Sequence, residues 1–199
     1  MTKETKRILI TGAAGQIGSE LALTLKAKYG ADNVLATDVV KPSGPLAGPG
    51  PFEALDVTDR RALDGLIRKF GADTIYHMAA LLSATGEKNP QKAWDVNING
   101  LHNVLEAARQ HELVRVFSPS SIAVFGPATP RENTPQDTVL DPKTIYGVTK
   151  VAGELLCDYY VQKYGLDVRG CRYPGIISHG ILAGGGTPDQ AIAVCYEAV

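Results

Sequence analysis

Tyr146 and Lys150 are two side chains whose types and spacing could move a proton. They stand four residues apart, which places both on one face of a helix. A free phenol has a pKa of about 10 and is protonated at neutral pH, but a nearby positive charge lowers that pKa. Tyr146 could then accept the hydroxyl proton of an alcohol while a hydride leaves the same carbon. The same spacing also occurs in exposed helix pairs without a catalytic role, so the pair alone does not decide.

Two adjacent serines, Ser120 and Ser121, could hold the hydroxyl of such an alcohol. They follow a predicted strand at 114–118. Open α/β sheets bind their ligands beyond the carboxyl ends of the strands. We therefore expect a serine hydroxyl and the Tyr146 phenol to meet at that edge of the sheet.

The segment from Gly12 to Gly18 is a G-x-x-G-x-x-G turn between a predicted strand and a predicted helix. Its glycines allow a tight turn, close approach of a pyrophosphate and packing of the helix on the sheet, and the helix N-terminus attracts the anion. Asp38 follows 20 residues after Gly18 and could accept hydrogen bonds from the adenine-ribose hydroxyls. Because its charge would repel a 2′-phosphate, the pattern predicts NAD rather than NADP. A glycine-rich turn without a ligand is the alternative.

The elements that must position these residues alternate between strand and helix. The hydrophobic pattern predicts strands at 7–11, 34–37, 52–55, 74–78, 114–118 and 168–173, and helices at 16–29, 58–70, 90–111 and 146–164. Thr58 is the expected N-cap of the second helix, and 126–144 is expected to be a surface loop. This alternation predicts an α/β fold with a Rossmann-type, doubly wound parallel sheet.

Composition excludes several classes of protein. The 199 residues carry a net charge of -1, and no apolar run reaches the length of a membrane-spanning helix, so neither nucleic acid nor a membrane is an expected partner. The three cysteines and four histidines show no spacing typical of a disulfide framework or a metal site, so no metal is expected. The N-terminus resembles no signal peptide, which favours a cytoplasmic protein.

Together these residues resemble the extended short-chain dehydrogenase/reductase family over the whole chain. The matching positions are Gly12–Gly18, Asp38, Asp56-Val57, His77–Ala80, Asn97, Ser120-Ser121, Tyr146, Lys150 and Arg172–Gly175. The resemblance implies that Ser121, Tyr146 and Lys150 are catalytic and that NAD is the cofactor. It also implies a set of cofactor-binding residues, namely Gly12, Gly15, Gln16, Ile17, Gly18, Asp38, Asp56, Val57, Ala79, Ala80, Leu81, Asn97, Tyr146, Lys150, Tyr173, Pro174 and Ile176.

Segments 119–126, 132–137, 173–178 and 184–187 more specifically resemble the metal-free branch that oxidises L-threonine. This branch transfers a hydride from the threonine β-carbon to NAD and yields 2-amino-3-oxobutyrate. It implies six substrate-binding residues, namely Ser83, Ser120, Ser121, Tyr146, Gly186 and Thr187. A nucleotide-sugar 4-epimerase of the same family and an NAD-binding fragment without turnover remain as alternatives.

The family's usual architecture implies two further expectations. Residues 1–180 are predicted to form the NAD-binding domain, and 181–199 to begin a substrate-binding region that is cut short. The family often dimerises through the helix that carries Tyr146, so a homodimer is expected. Core burial would explain the apolar residues of that helix equally well.

Overall fold

The computed structural model describes residues 5–41 and 49–176. The strands are β1 (Ile8–Thr11), β2 (Val34–Asp38), β3 (Phe52–Ala54), β4 (Thr74–His77), β5 (Arg115–Phe117), β6 (Ser120–Ser121), β7 (Val168–Arg169) and β8 (Arg172–Tyr173). The α-helices are α1 (Gln16–Tyr29), α2 (Arg60–Phe70), α3 (Ser83–Lys88), α4 (Pro90–Trp94), α5 (Gly100–Gln110) and α6 (Ile145–Tyr164). The predicted boundary at residue 180 lies outside the described residues.

Six parallel strands form the main sheet in the order β3-β2-β1-β4-β5-β7. The order reverses between β1 and β4, and in sheets of this kind the crevice at such a reversal is where ligands bind. The glycine turn follows β1 and the segment 78–82 follows β4, so both lie at the mouth of that crevice. The predicted Rossmann-type parallel sheet is confirmed.

Apolar residues cover both faces of the sheet. Leu9, Leu35, Ile75 and Val116 pack with residues of α2, α5 and α6 on one face. Ile8, Ile10, Val34 and Ala36 pack with residues of α1 on the other. Because successive strand residues point to opposite faces, two-sided burial requires continuous apolar runs, and the sequence has such runs.

Two predictions about helices need correction. The N-cap of α2 is Asp59, whose carboxylate accepts the Ala62 N–H at 3.0 Å, while the Thr58 hydroxyl donates to Asp56 at 2.8 Å. The single helix predicted at 90–111 contains a π-helical stretch, Asp95–Asn99, between α4 and α5. The short helix α3 was not predicted from the sequence.

The single strand predicted at 168–173 is two strands. β7 pairs with β5 in the main sheet, whereas β8 pairs with β6 in a separate two-stranded sheet. Gly170 lies between them, and a side chain there would overlap the Ser118 carbonyl oxygen. The close backbone contact at Gly170 therefore marks the point where the chain leaves the main sheet.

Among the described helices, none is both long enough and apolar enough to span a membrane.

Candidate active site

The three glycines of the turn after β1 have different surroundings. Gly12 has a φ of +68°, and a Cβ there would lie 2.5 Å from the Ala79 backbone nitrogen. A Cβ on Gly18 would overlap the Gly12 carbonyl oxygen. A Cβ on Gly15 would meet only that same oxygen, at 3.3 Å. The fold itself thus requires Gly12 and Gly18, whereas Gly15 leaves the space at the N-terminus of α1 open.

This helix start suits an anion. No side chain caps α1, and its first turn holds no acidic residue. The first N–H groups of a helix have no partner within the helix and, with the helix dipole, attract negative charge. The open space at Gly15 and the uncapped helix therefore fit the pyrophosphate of a dinucleotide.

Asp38 ends β2 beside the glycine turn. One of its carboxylate oxygens accepts the Ala14 N–H at 2.9 Å, and the other accepts the Val40 N–H at 3.0 Å. Each oxygen can accept a further hydrogen bond, so the carboxylate is held in place with capacity for a ribose diol. The residue lies where the sequence pattern requires it to be.

Asp56 and Val57 follow β3 at the same edge of the sheet. The Asp56 carboxylate accepts the Thr58 N–H at 2.9 Å and remains exposed. The Val57 side chain is buried, and its carbonyl oxygen accepts a hydrogen bond from Asn103 at 3.0 Å. Their position at the β3 end is compatible with an adenine on that side of the crevice.

Asn97 joins two parts of the site. Its side-chain oxygen accepts the Leu81 N–H at 2.8 Å, and its nitrogen donates to the Leu81 carbonyl at 3.1 Å and to the Thr149 hydroxyl at 3.0 Å. The buried amide therefore fixes the segment after β4, which contains Ala79 and Ala80, against α6 one residue before Lys150. The family resemblance implies that Asn97 supports the active site and binds the cofactor, and the cofactor contact stays a prediction.

His77 ends β4 below this segment and is buried. Its Nδ1 lies 2.8 Å from the Thr11 hydroxyl. Burial, assisted by the positive charge of Lys150, lowers the pKa of His77 to about 3. The imidazole is therefore neutral at ordinary pH and acts as a packed, hydrogen-bonded group.

Tyr146, Lys150 and Ser121 come together as the sequence predicts. Helix α6 begins at Ile145 with Thr144 as its N-cap, so Tyr146 lies in the first turn and Lys150 one turn later. The Lys150 ammonium donates to the Pro119 carbonyl at 2.8 Å and lies 5.5 Å from the centroid of the Tyr146 ring. The Ser121 hydroxyl, on β6, accepts the Ala123 N–H at 3.2 Å and interacts with the Tyr146 phenol.

The electrostatics differ from the expectation for Tyr146. Burial raises the pKa of Tyr146, and the hydrogen-bonding interaction with Ser121 offsets this only in part. Burial lowers the pKa of Lys150 to about 8. The chain alone therefore keeps the phenol protonated at neutral pH, and the ammonium by itself does not reverse the effect of burial.

Residues after β8 close the other side of the crevice. Tyr173 is in register with Ser121 in the β6–β8 pair. Three residues later, the Ile176 carbonyl accepts a hydrogen bond from the Gln16 side chain at 3.2 Å. This contact brings the end of the described chain against the start of α1, with the exposed Pro174 between β8 and Ile176.

The predicted substrate residues are only partly within the described chain. Ser83 begins α3 and is half-buried. The Ser120 hydroxyl is buried and makes no hydrogen bond of good geometry. Gly186 and Thr187 lie outside the described residues.

A cavity of about 300 Å³ lies behind Lys150, between the sheet, α6 and residues 168–172. Glu154 and Arg172 face it and form an ion pair with an N–O distance of 2.7 Å. Glu154 was not singled out from the sequence, although its place four residues after Lys150 could have suggested it. In the described part of the chain, no three acidic, histidine or cysteine side chains gather closely enough to hold a metal ion.

Comparisons with known proteins identify the family of the chain. The model of the NAD dependent epimerase/dehydratase family matches residues 8–197. An uncharacterized epimerase/dehydratase from Staphylococcus saprophyticus is 56% identical over 195 residues, which are 98% of this chain and 61% of that protein. The chain thus spans 61% of the length of this curated relative.

Solved structures are similar as well. The L-threonine dehydrogenase of Clostridium difficile is 52% identical with a TM-score of 0.94, over 98% of this chain and 61% of that one. A monomeric L-threonine 3-dehydrogenase from a metagenome is 49% identical with a TM-score of 0.91, over 96% and 61%. The UDP-glucose 4-epimerase of Brucella ovis in complex with NAD is 26% identical with a TM-score of 0.77, over 85% and 52%. With its glycine turn, its Asp38 carboxylate and this family match, the chain belongs to the NAD dependent epimerase/dehydratase family of extended short-chain dehydrogenases, and NAD is its cofactor.

Proposed function

We propose that the complete protein is an L-threonine 3-dehydrogenase, which oxidises the threonine β-hydroxyl to a ketone with NAD. The observation that carries the proposal is the similarity to L-threonine dehydrogenases near 50% identity with TM-scores above 0.9. The epimerase of Brucella ovis is far less similar, at 26% identity and a TM-score of 0.77. The curated relative from Staphylococcus saprophyticus is described as an uncharacterized epimerase/dehydratase, so the choice depends on the solved structures and on the site.

The cofactor residues divide into four groups along the crevice. The turn from Gly12 to Gly18 and the start of α1 would hold the pyrophosphate, and Asp38 would accept hydrogen bonds from the adenine ribose. Asp56 and Val57 would contact the adenine. The segment Ala79–Leu81 and the strand end with Tyr173, Pro174 and Ile176 would line the rest of the cofactor. Bound NAD⁺ would supply the hydride acceptor and one positive charge.

In the proposed mechanism Ser121 and Tyr146 bind the same hydroxyl. Ser121 holds the hydroxyl of the substrate, and Tyr146 accepts its proton as the hydride departs. The Lys150 ammonium stabilises the phenolate that Tyr146 must form. Because burial raises the pKa of the phenol, this base becomes available only when further positive charge enters the site.

Four further residues complete the proposed substrate site. Ser83 and Ser120 offer hydroxyls near the crevice, and Gly186 and Thr187 are included because of the resemblance to the threonine-oxidising branch. Ser120 is included because of the same resemblance, and its hydroxyl is buried close to the Glu154 carboxylate.

The test is an assay of the complete protein with L-threonine and NAD, following the absorbance of the reduced cofactor. We expect turnover with L-threonine that is lost when the hydroxyl is absent, as in L-2-aminobutyrate. No turnover of threonine together with interconversion of UDP-glucose and UDP-galactose would overturn the proposal in favour of the epimerase. NAD binding without turnover of either would leave only a cofactor-binding fragment.

We also propose that the protein forms a homodimer through α6. Leu155 and Tyr159 on this helix are 66% and 46% exposed, which leaves apolar surface available for a second copy. The metagenomic L-threonine 3-dehydrogenase is described as monomeric, so the proposal needs a direct test. Light scattering of the complete protein should give twice the mass of one chain, and a single-chain mass would refute it.

A further inference from the structure

Glu154 and Arg172 form a two-point ion pair inside the molecule. Arg172 Nε donates to one carboxylate oxygen of Glu154 at 2.8 Å, and Nη2 donates to the other at 2.7 Å. Only 15% of the Arg172 side chain and 23% of the Glu154 side chain is exposed. Two parallel hydrogen bonds between planar groups set both their separation and their relative orientation.

Glu154 lies on the helix that carries Tyr146 and Lys150, and Arg172 lies on the strand that pairs with the strand of Ser121. Glu154 follows Tyr146 and Lys150 at intervals of four residues, so all three share one face of α6. Arg172 belongs to β8, where its backbone pairs with Ser120 while the next residue, Tyr173, pairs with Ser121. The ion pair therefore connects the helix of Tyr146 and Lys150 to the strand pair that contains Ser121.

The strand pair is short, and it is held against α6 by the ion pair together with the hydrogen bond from the Lys150 ammonium to the Pro119 carbonyl, which directly precedes β6. β6 and β8 have two residues each and form a sheet separate from the main one. Arg172 makes two further contacts, a hydrogen bond to the Gln136 carbonyl at 3.0 Å and a stacking contact with the Phe125 ring at 5.4 Å. One guanidinium thus joins α6, β8 and the loop at 126–144.

The electrostatics agree with a stable pair. Burial raises the pKa of Glu154, but hydrogen bonds from Arg172 and an interaction with the nearby Ser120 hydroxyl outweigh it, so the net shift is downward. The carboxylate therefore stays charged at neutral pH. Its charge also raises the pKa of Lys150, in opposition to burial.

We propose that Glu154 and Arg172 are positioning residues for the dehydrogenase reaction, and that their ion pair sets the distance between Ser121 and the Tyr146–Lys150 pair. This inference rests on the proposed function only in so far as the reaction uses those three groups. Neither residue needs to touch the substrate for it to hold.

The experiment compares conservative variants of the complete protein. Arg172→Lys keeps the charge and removes the two-point geometry, and Glu154→Asp shortens the carboxylate arm by one methylene. The matched control is Arg115→Lys, because Arg115 forms a partly buried ion pair with Asp167 at 2.8 Å, at the amino end of β5 and away from the crevice. The measurements are kcat, the KM for threonine, the Kd for NAD and the Tm.

Misplaced reacting groups lower kcat steeply, so we expect Arg172→Lys and Glu154→Asp to lose about tenfold or more in kcat. The Kd for NAD and the Tm should change no more than in Arg115→Lys. A kcat within twofold of the control would overturn the proposal. A parallel loss of kcat, NAD affinity and Tm would also overturn it, because it would mean a purely structural pair.

A pH profile separates charge from geometry. The groups around Lys150 are Tyr146, Glu154 and Cys157 on α6, His77 on β4 and Arg172 on β8, with the Pro119 carbonyl as the hydrogen-bond acceptor. Glu154→Gln removes a negative charge that raises the pKa of Lys150, so the fall of kcat at alkaline pH should begin at lower pH. In Arg172→Lys this alkaline fall should keep its position while kcat itself decreases. Identical pH profiles in the two variants would contradict the positioning role of the ion pair.

A second readout does not depend on threonine. The Tyr146 phenol can be titrated from the ultraviolet absorbance difference between the protein and its Tyr146→Phe variant. The interaction with Ser121 lowers the pKa of Tyr146, so loosening it in Arg172→Lys should raise that pKa. If the protein oxidises no threonine, the proposed function fails, and an unchanged Tyr146 titration would then refute the positioning role separately.

Discussion

At the scale of single residues, the site combines two groups that burial moves toward their neutral forms. Burial raises the pKa of Tyr146 and lowers that of Lys150 to about 8. Both shifts have the same origin, since a charge buried in the protein loses its hydration. The Tyr146 phenol therefore stays protonated in the protein alone. Its ionisation depends on the charge of the ligand that enters the crevice.

Tyr146→Phe removes the proposed base and leaves the ring in place. We expect kcat to fall by about 10²-fold to 10⁴-fold, the range typical of a lost general base, with the Kd for NAD nearly unchanged. Kinetics with threonine and fluorescence titration with NAD measure the two quantities. Tyr164→Phe, at the exposed end of the same helix, is the control and should keep full activity. Equal losses of kcat and NAD affinity in Tyr146→Phe would mean that the ring has a structural role.

Lys150→Met tests the burial of the ammonium through stability. The pKa of Lys150 in the folded protein, about 8, lies below the ordinary lysine value of 10.5, so the unfolded chain binds more protons between these two values. The stability of the protein with Lys150 should therefore rise with pH in that window. The Tm of Lys150→Met minus the Tm of the parent should be largest below pH 8. This difference should decrease as the pH rises toward 10, because the parent gains stability there.

The exposed Lys143 serves as the control for this comparison, because Lys143→Met removes an ammonium from the protein surface. A Lys150→Met difference that follows the same pH trend as the Lys143→Met difference would show that the Lys150 ammonium is hydrated in the folded protein.

At the scale of elements, the carboxyl edge of the sheet brings distant segments to one crevice. The turn after β1, the ends of β2 and β3 and the segment after β4 all reach it. α6 lies beside the pair β6–β8, so Tyr146 meets Ser121 across 25 residues of sequence. The parallel arrangement explains this convergence, because every strand of the main sheet ends at the same edge.

Alanine variants of Gly15 and Gly18 should have different effects, because Gly15 is needed for NAD binding and Gly18 for the fold. Gly15 has a φ of -75°, and a Cβ there would meet only the Gly12 carbonyl oxygen, at 3.3 Å, so Gly15→Ala should change the Tm by only a few degrees while weakening NAD binding about tenfold or more. Gly18→Ala would force a Cβ onto the Gly12 carbonyl and should lower the Tm strongly. Thermal melts and NAD titrations give both results.

The control for the glycine variants is Gly65→Ala in α2, where a Cβ meets nothing within 4 Å. It should stabilise the protein by up to about 1 kcal/mol, because alanine favours a helix interior. If Gly15→Ala bound NAD as tightly as Gly65→Ala does, the pyrophosphate would not lie at Gly15.

At the scale of the whole molecule, Glu106 links the helices on one face of the sheet. On α5, it accepts hydrogen bonds from Arg109 at 3.0 Å and from the Tyr160 hydroxyl of α6 at 2.7 Å, and it lies 4.0 Å from Arg60 of α2. Hydrogen bonds from Arg109 and Tyr160 lower the pKa of Glu106 to about 2. The ionised carboxylate thus stabilises the packing of three helices.

This stabilisation should be lost in acid. It is complete above the ordinary glutamate pKa of 4.5 and disappears as the pH falls toward about 2, so Glu106→Gln should lower the Tm at pH 7 and should match the parent near pH 2. Thermal melts at several pH values measure the difference in Tm between Glu106→Gln and the parent. Glu112→Gln, at an exposed position after the same helix, is the control. A difference that stayed constant down to pH 2 would contradict the assigned shift.

The features that depend on local spacing could be predicted from the sequence. The helix from Gln16 to Tyr29 was predicted with its observed bounds, because the glycine turn and Gly30 delimit it. The meeting of Tyr146 and Lys150 follows from a helical repeat, and the position of Asp38 follows from the length of one strand–helix–strand unit. The family was identified from the resemblance of these motifs to a known family, and NAD was predicted from the glycine turn and Asp38.

The features that depend on burial or on contacts between residues far apart in the sequence became visible only in the tertiary structure. The break at Gly170 results from contact with Ser118, and the pairing of Glu154 with Arg172 results from the docking of β8 beside α6. The direction of the pKa shift of Tyr146 depends on how much water the folded chain removes from the phenol. The order of residues in the sequence does not show which of them meet across the sheet or lose their hydration. The pairing of distant residues and the pKa shifts are therefore known only from the folded chain.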